Sequence, residues 1–433
     1  MRHNKMKKIF VSIGLAAAGA AGVPSVIAQG MEAGAAPKIW NVAANLRGFY
    51  DDNYAVAHNK TGSFGFEVSP SVSINSSFQQ TDIGVRYTYG LYYYQQRAEN
   101  GLNPIDNTHQ GDFWVDHAFN ERFKLNITDS FTAAQDPSLV QGGAVVRVNG
   151  NNIANRATVT LNSEWTRQFS TATHYGNTII NYENVGTNSA SNPSSATLLN
   201  RMEQNIGNDF QWHFQPETMG FIGYSFSWTR YTGNGEIAIA NNVPPNNFIH
   251  YYADSRNSDT HYAYVGVTEE FSPNLSGTAR VGASYTDVYN DPVSPYTSLS
   301  PYADINATYT FMPGSYVQAG FTQNQNATDI ATPGANGHLT AYQESSVFYA
   351  DLNHRFSPKL TASLTSQYQY STYKEGAYSG KGDTSISAAI NFNYEINRHL
   401  SANAGYNFSD LISSISNRGN NRNLVYIGLS ATY

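Results

Sequence analysis

Tyr426-Ile427-Gly428-Leu429-Ser430-Ala431-Thr432-Tyr433 closes the chain. Counting back from Tyr433, Ala431, Leu429, Ile427 and Val425 are apolar, whereas Thr432, Ser430 and Gly428 are small or polar. That is the period of two of a strand with one apolar and one polar face. The same phase runs outward from this segment. Leu400, Ala402, Ala404, Tyr406 and Phe408 alternate with Ser401, Asn403, Gly405, Asn407 and Ser409, and Ile386, Ala388, Ile390, Phe392 and Tyr394 alternate with Ser385, Ser387, Asn391 and Asn393. Near the other end, Phe64, Phe66, Val68, Pro70, Val72 and Ile74 alternate with Ser63, Gly65, Glu67, Ser69, Ser71 and Ser73. Ile83, Val85, Tyr87, Tyr89 and Leu91 do so with Asp82, Gly84, Arg86, Thr88 and Gly90, and Trp40, Val42, Ala44, Leu46 and Tyr50 with Asn41, Asn45 and Arg47. Such runs reach about eleven residues, longer than an ordinary globular strand and long enough to cross a bilayer at a tilt.

The terminal octapeptide resembles the C-terminal insertion signal of bacterial outer-membrane β-barrels, with Tyr433 as the final aromatic, Ala431 two before it and Gly428 five before it. A partner implied by that signal is the barrel insertion machinery. At the N-terminus, Arg2, Lys5, Lys7 and Lys8 precede an apolar run from Ile9 to Val23 and the short residues Val26-Ile27-Ala28. This reads as a signal peptide over 1–28, followed by a short periplasmic lead over 29–37 that is too small for a plug domain. The remaining 38–433 is expected to be one barrel.

Composition supports this reading. Charged residues are 13% of the 433 and aromatics another 13%, including 31 Tyr. Tyr at that density suits membrane interfaces, and alternating faces keep the mean hydropathy at -0.43, as a barrel does. The absence of Cys excludes disulfides, thiolate metal sites and a lipoprotein anchor. A net charge of -7 without a basic cluster beyond the leader argues against nucleic acid.

Short turns recur at His213–Met219, Glu270–Ser276, Arg355–Thr361, Phe119–Phe123, Phe311–Ser315 and Ile396–Leu400. In several, Pro is preset for the bend. Less distinct reversals near Asn75–Phe78 and Ser170–Thr173 bring the count to eight short turns, and with nine outer loops this predicts an all-β, transmembrane, antiparallel up-and-down β-barrel of about eighteen strands. Long Asn/Gly/Pro/Ser-rich connections at 134–154, 184–200, 232–257 and 323–342 are expected on the cell surface. A soluble sandwich or propeller would not show short turns at one end and long ones at the other.

Phe49-Tyr50-Asp51-Asp52-Asn53 and Phe66-Glu67-Val68-Ser69-Pro70-Ser71-Val72 resemble the second family of outer-membrane β-barrel porins. The resemblance implies an outer-membrane location and porin activity, with some relatives thought to accompany exopolysaccharide genes. It implies no catalytic residues and no cofactor.

Gly233-Asn234-Gly235-Glu236-Ile237-Ala238 has dinucleotide-loop spacing, but it follows an antiparallel strand and precedes no helix pattern, so it reads as a turn. The eleven His are scattered with no local metal motif. Asp51, Asp52 and Asn53 could coordinate Ca²⁺ through hard oxygens, yet read better as a loop start that caps backbone donors. A barrel hydrolase would need a Ser and a His within hydrogen-bond reach on neighbouring strands, and no Ser has a recognisable nucleophile context, so an enzyme is not expected.

By strand phase the inward charged residues are Arg47, Glu67, Asp82, Arg86, Asp116, Lys124, Glu164, Asp209, Arg280, Asp304 and Asp351. They would pair across strands and set a transverse field in a water-filled pore, with acids in excess. The expected function is passive diffusion of small hydrophilic solutes or ions, with the 232–257 loop as a constriction. The alternative is a barrel accessory to exopolysaccharide export or surface glycan attachment. Membrane lipid is a partner in either case. A homo-oligomer would need a strip of small or flat outward residues, which alternation alone does not locate.

Overall fold

The computed structural model describes residues 39–134, 140–141, 144–145, 152–183, 193–243 and 247–433. The expected signal peptide, the lead segment and parts of the 134–154, 184–200 and 232–257 connections lie outside the described residues. Eighteen strands form one sheet. They are β1 (Trp40–Asp51), β2 (Ser63–Ser77), β3 (Thr81–Tyr94), β4 (Ile105–Ala118), β5 (Phe123–Ala134) and β6 (Asn152–Glu164). Next come β7 (Phe169–Tyr182), β8 (Arg201–His213), β9 (Thr218–Tyr231), β10 (Ser258–Ser272), β11 (Leu275–Val288) and β12 (Tyr296–Met312). The last are β13 (Ser315–Ala327), β14 (Tyr342–Arg355), β15 (Leu360–Lys374), β16 (Gly382–Asn397), β17 (Leu400–Ser413) and β18 (Asn420–Thr432).

Each strand pairs antiparallel with its sequence neighbours, and β18 returns to β1 with Leu429 opposite Leu46 and Ala431 opposite Ala44. The sheet therefore has no edge, which is how a barrel satisfies every backbone donor within a membrane. Gly428 lies opposite Arg47, whose Cγ is 2.6 Å from where a Cβ at Gly428 would stand. Tyr433 packs its ring 5.7 Å from that of Trp40 and stacks on His399 at 6.2 Å.

The outer face carries the apolar rows: Phe64 is 64% exposed, Ile427 71% and Ile222 65%, values that would be untenable in water for so many large side chains. Aromatic contacts ring the short-turn end, where Phe123 meets Trp165 at 5.6 Å and Phe169 meets Trp212 at 6.3 Å. On the inner face, aromatic rings lie flat across glycines of the adjoining strand. Tyr264 covers Gly223, Phe221 covers Gly266, Tyr349 covers Gly320 and Tyr426 covers Gly405, each directly opposite in register. A Cβ at Gly223 would come within 2.1 Å of the Tyr264 ring. The small residue is thus what lets the ring lie against the wall.

Two expected reversals are displaced. The turn expected near Asn75–Phe78 comes later, between Ser77 and Thr81, and Ser170–Thr173 is not a turn but part of β7. The chain reverses instead at Thr166–Gln168, where the Thr166 hydroxyl accepts hydrogen bonds from the Gln168 and Phe169 backbone amides. The Ser-Thr-Ala-Thr run looks like a turn because the outward positions Thr171 and Thr173 are polar, which erases the alternation.

Candidate functional site: the barrel lumen

The eleven charged residues marked by strand phase all stand on the face opposite the exposed apolar rows, and they divide by environment. Glu67, Asp209 and Arg280 are buried in the wall. Arg47 lies directly opposite Glu67 with its guanidinium 3.5 Å from the carboxylate, and its plane covers the Tyr426 ring at 4.6 Å. Arg280 reaches Asp209 at 3.5 Å, while Tyr264 donates to the same carboxylate at 2.6 Å. Asp304 is the direct register partner of Arg280. Arg86 donates twice to Asp112, at 3.0 and 2.7 Å. Lys124 pairs in register with Asn162, Glu164 with Ser170, and Asp351 with Gln318 and Thr365. Cross-strand pairs of this kind stiffen the wall and place both signs of charge along it.

Asp82 and Asp116 differ in standing directly opposite one another, acid to acid, on β3 and β4 near the short-turn end, and both are exposed, as Glu164 also is. Asn126 donates to Asp116 at 2.6 Å. Two carboxylates facing each other at this distance repel.

The long-loop end holds groups that strand phase did not mark. Between β9 and β10 a hairpin pairs Glu236–Val243 with Asn247–Tyr252. It buries Ile237, Ala238, Ala240 and Tyr251 against Tyr231 and against Leu339 of the β13–β14 loop, with Leu198 and Ala331 at the margin. Tyr251 donates to the carbonyl of Gly337. Burial and then the Asp291 carboxylate push its phenol up to about 12, so it remains a donor at neutral pH. Arg256, 2% exposed, donates to the carbonyls of Thr328 at 3.1 Å and of Leu198, and lies over the Tyr231 ring at 4.1 Å. Burial lowers its pKa below the ordinary arginine value.

Arg418 ties a third loop to this cap. It grips Asp329 in a fork at 2.9 and 2.8 Å and donates to Asp383 at 2.7 Å. Tyr373 donates to the same Asp383 at 2.6 Å. Burial alone would depress the charge of Arg418, but Asp329 outweighs it, with Tyr373 and Asp383 adding to the effect, and holds its pKa above the ordinary arginine range. Loops of sequence-distant strands thus share one core. Arg201, the first residue of β8, also belongs to the inner face and could have been found by phase. Arg256, Asp329 and Arg418 lie in loops, where alternation carries no information.

Asp51 is buried against Arg422 at 2.6 Å, and Asp52 binds Lys60 at 2.7 Å and Asn423 at 2.8 Å. The Asp51 carboxylate also accepts from the backbone amide of Asn53 at 3.0 Å. Protein cations and amides occupy these carboxylates, in keeping with a capped loop start rather than a Ca²⁺ site. Among the described residues no group of three His, Asp or Glu is arranged to hold a metal. Gly233 lies in the irregular connection after β9, close against the backbone of Ala196 and Thr197. A Ser–His pair does occur on the inner face: Ser170 Oγ lies 3.2 Å from His213 Nε2. The hydroxyl donates to Gln211 Oε1 at 2.9 Å, and among the described residues no carboxylate hydrogen-bonds His213. The hydroxyl's proton is thus directed to Gln211 and not to His213.

No curated protein matches the chain. Among solved structures it is similar to the outer membrane protein opdK of Pseudomonas aeruginosa, with 8% identity, 91% of this chain and 99% of that chain covered and a TM-score of 0.45. It is also similar to OccAB4 of Acinetobacter baumannii, with 11% identity, coverages of 92% and 99% and a TM-score of 0.41. The siderophore receptor PiuA of Acinetobacter baumannii gives 10% identity, coverages of 92% and 82% and a TM-score of 0.46. Identities and scores this low do not bear on what the chain carries. Residues 27–433, nearly its whole length, match one family throughout, and the chain belongs to that family, described as "Putative beta-barrel porin 2".

Proposed function

We propose that the protein is a passive channel of the bacterial outer membrane, admitting small hydrophilic solutes and ions through a lumen whose exposed acids favour cations. The observation that carries this reading is the opposed, exposed pair Asp82 and Asp116 on a wall whose other charges are largely paired. Solutes cross down their own gradient, and the extracellular hairpin at Glu236–Tyr252 narrows the entrance. The test is single-channel conductance of the refolded barrel in a planar bilayer under a salt gradient. The expected result is steady conductance with a reversal potential of cation-selective sign, displaced toward zero in Asp82→Asn/Asp116→Asn. A heat-modifiable, folded barrel that passes no current in either form would overturn the reading.

A further inference from the structure

Seventeen of the eighteen junctions between neighbouring strands are zipped to the long-loop end, with the last rung within one residue of the end of at least one of the two strands. The junction of β12 with β13 is the exception. Its last rung pairs Ala303 with Gln323. Beyond it β12 continues for seven residues, Tyr296 to Tyr302, paired only with β11. β13 continues for four, Asn324 to Ala327, paired only with β14.

The two free stretches overlap. Ser300 stands opposite Ser284 and Ser298 opposite Thr286, all on the inward face of β12 and β11. The Ser300 hydroxyl donates to Glu344 of β14 at 2.5 Å, and the Thr286 hydroxyl to Gln325 of β13 at 3.1 Å. Lys374 holds the other oxygen of Glu344 at 2.7 Å. Gln325 and Glu344 are register partners, and by strand phase from the inward Asp351 they belong to the outward face of their hairpin. The outward side of the β13–β14 hairpin is thus laid on the inward side of β11 and β12, where Ser284, Thr286 and Ser300 are buried. No backbone rung crosses this overlap. Pro301, within the free stretch, has no N–H to leave unpaired there.

Position and lining say what this joint admits. Ala303 is nine residues above Met312 at the short-turn end, a rise of about 23 Å for a strand tilted by roughly 40°. That is the top of an apolar band about 25 Å tall, so the joint begins where acyl chains meet head groups. Its outer flank is apolar: Leu299 is 73% exposed and its register partner Tyr285 46%. Its inner lining is hydroxyls, a carboxamide and an ion pair. Apolar outside and hydrogen-bonding inside complements a molecule that enters sideways, with its chain in the leaflet and its head toward the lumen. A wall joined by rungs cannot part in a membrane without stranding N–H and C=O groups. This joint parts by exchanging side-chain hydrogen bonds for those of a polar head. We propose that the β12–β13 joint is a lateral portal, through which the polar head of an outer-leaflet lipid passes between the leaflet and the lumen. The portal is distinct from diffusion along the barrel axis, and it rests on the outer-membrane reading with the long-loop end outward.

The test places the photoreactive residue p-benzoylphenylalanine at one position at a time in the full-length chain in native outer membranes, and adducts are read on the heat-modifiable folded band. Gln325 and Ser298 lie in the joint, Asn324 neighbours Gln325 on the opposite face, and Ile305 faces lipid on β12 below the last rung. Irradiation is expected to give a lipid adduct at 305, 325 and 298, and one several-fold weaker at 324. The chain has no Cys, so Ser300→Cys/Glu344→Cys spanned by a short thiol cross-linker closes the joint selectively. Closure should abolish the adduct at 325 and leave that at 305 unchanged. An adduct at 305 with none at 325 or 298, equal labelling at 324 and 325, or labelling at 325 that survives the cross-link would each overturn the portal. No adduct at 305 would instead overturn the outer-membrane reading on which it rests.

Discussion

The two ends of the barrel are built on different principles. At the short-turn end each turn joins two strands that are already paired and depends on its own residues, as Thr166 and Ser357 do by accepting from nearby backbone amides. At the long-loop end the loops depend on one another: Arg256 reaches residues of two other loops, and Arg418 reaches Asp329, eighty-nine positions away. Local turns are robust to single changes, whereas a shared core concentrates stability in a few residues.

The largest effect is expected on passage. Replacing 236–252 by a short Gly/Ser linker removes the hairpin and its buried residues, and single-channel conductance should rise several-fold with the barrel still folded. Unchanged conductance would mean that the cap stands clear of the pore. Next, Arg418→Ala leaves the carboxylates of Asp329 and Asp383 buried without their cation. Breaking a buried pair in this way costs about 3–5 kcal/mol. Hydrogen exchange should accelerate in 328–341 and 414–419 and stay slow in the strands; acceleration throughout would show that the cap and the wall unfold together.

The pH dependence is subtler. A phenol raised to about 12 in the fold stabilises the cap fully below the ordinary tyrosine value near 10 and loses that contribution as pH climbs from 10 to 12. Cap protection should therefore be level through neutral pH and fall in that alkaline window, and Tyr251→Phe should remove the fall. At the other extreme, burial raises the pKa of Asp52, but its bonds to Lys60 and Asn423 outweigh this and hold it below the ordinary value. Its contribution is present above the ordinary carboxylate pKa and is lost as pH drops through the lowered one. The smallest effect belongs to the short-turn end: Pro273→Ala should shift the unfolding free energy by no more than about 0.5 kcal/mol, measured by urea titration in detergent.

The wall was legible because it repeats. Alternation at every second residue and short turns at regular intervals carry the strand count, and the expected reversal that falls wholly within a strand, Ser170–Thr173, sits where outward Thr171 and Thr173 break that repeat. Inward charges were likewise assigned by phase, but whether a charge is paired and buried, like Asp209, or exposed, like Asp82, depends on strand register, which alternation leaves open.

By itself, then, the order of residues determined a strand-by-strand division into two faces, because a period of two is a local property that needs no knowledge of neighbours. Tertiary structure alone decided which loops would share a core and which carboxylates would find a guanidinium. Those outcomes depend on residues far apart in sequence being brought together when β18 closes on β1, and no local period encodes that distance.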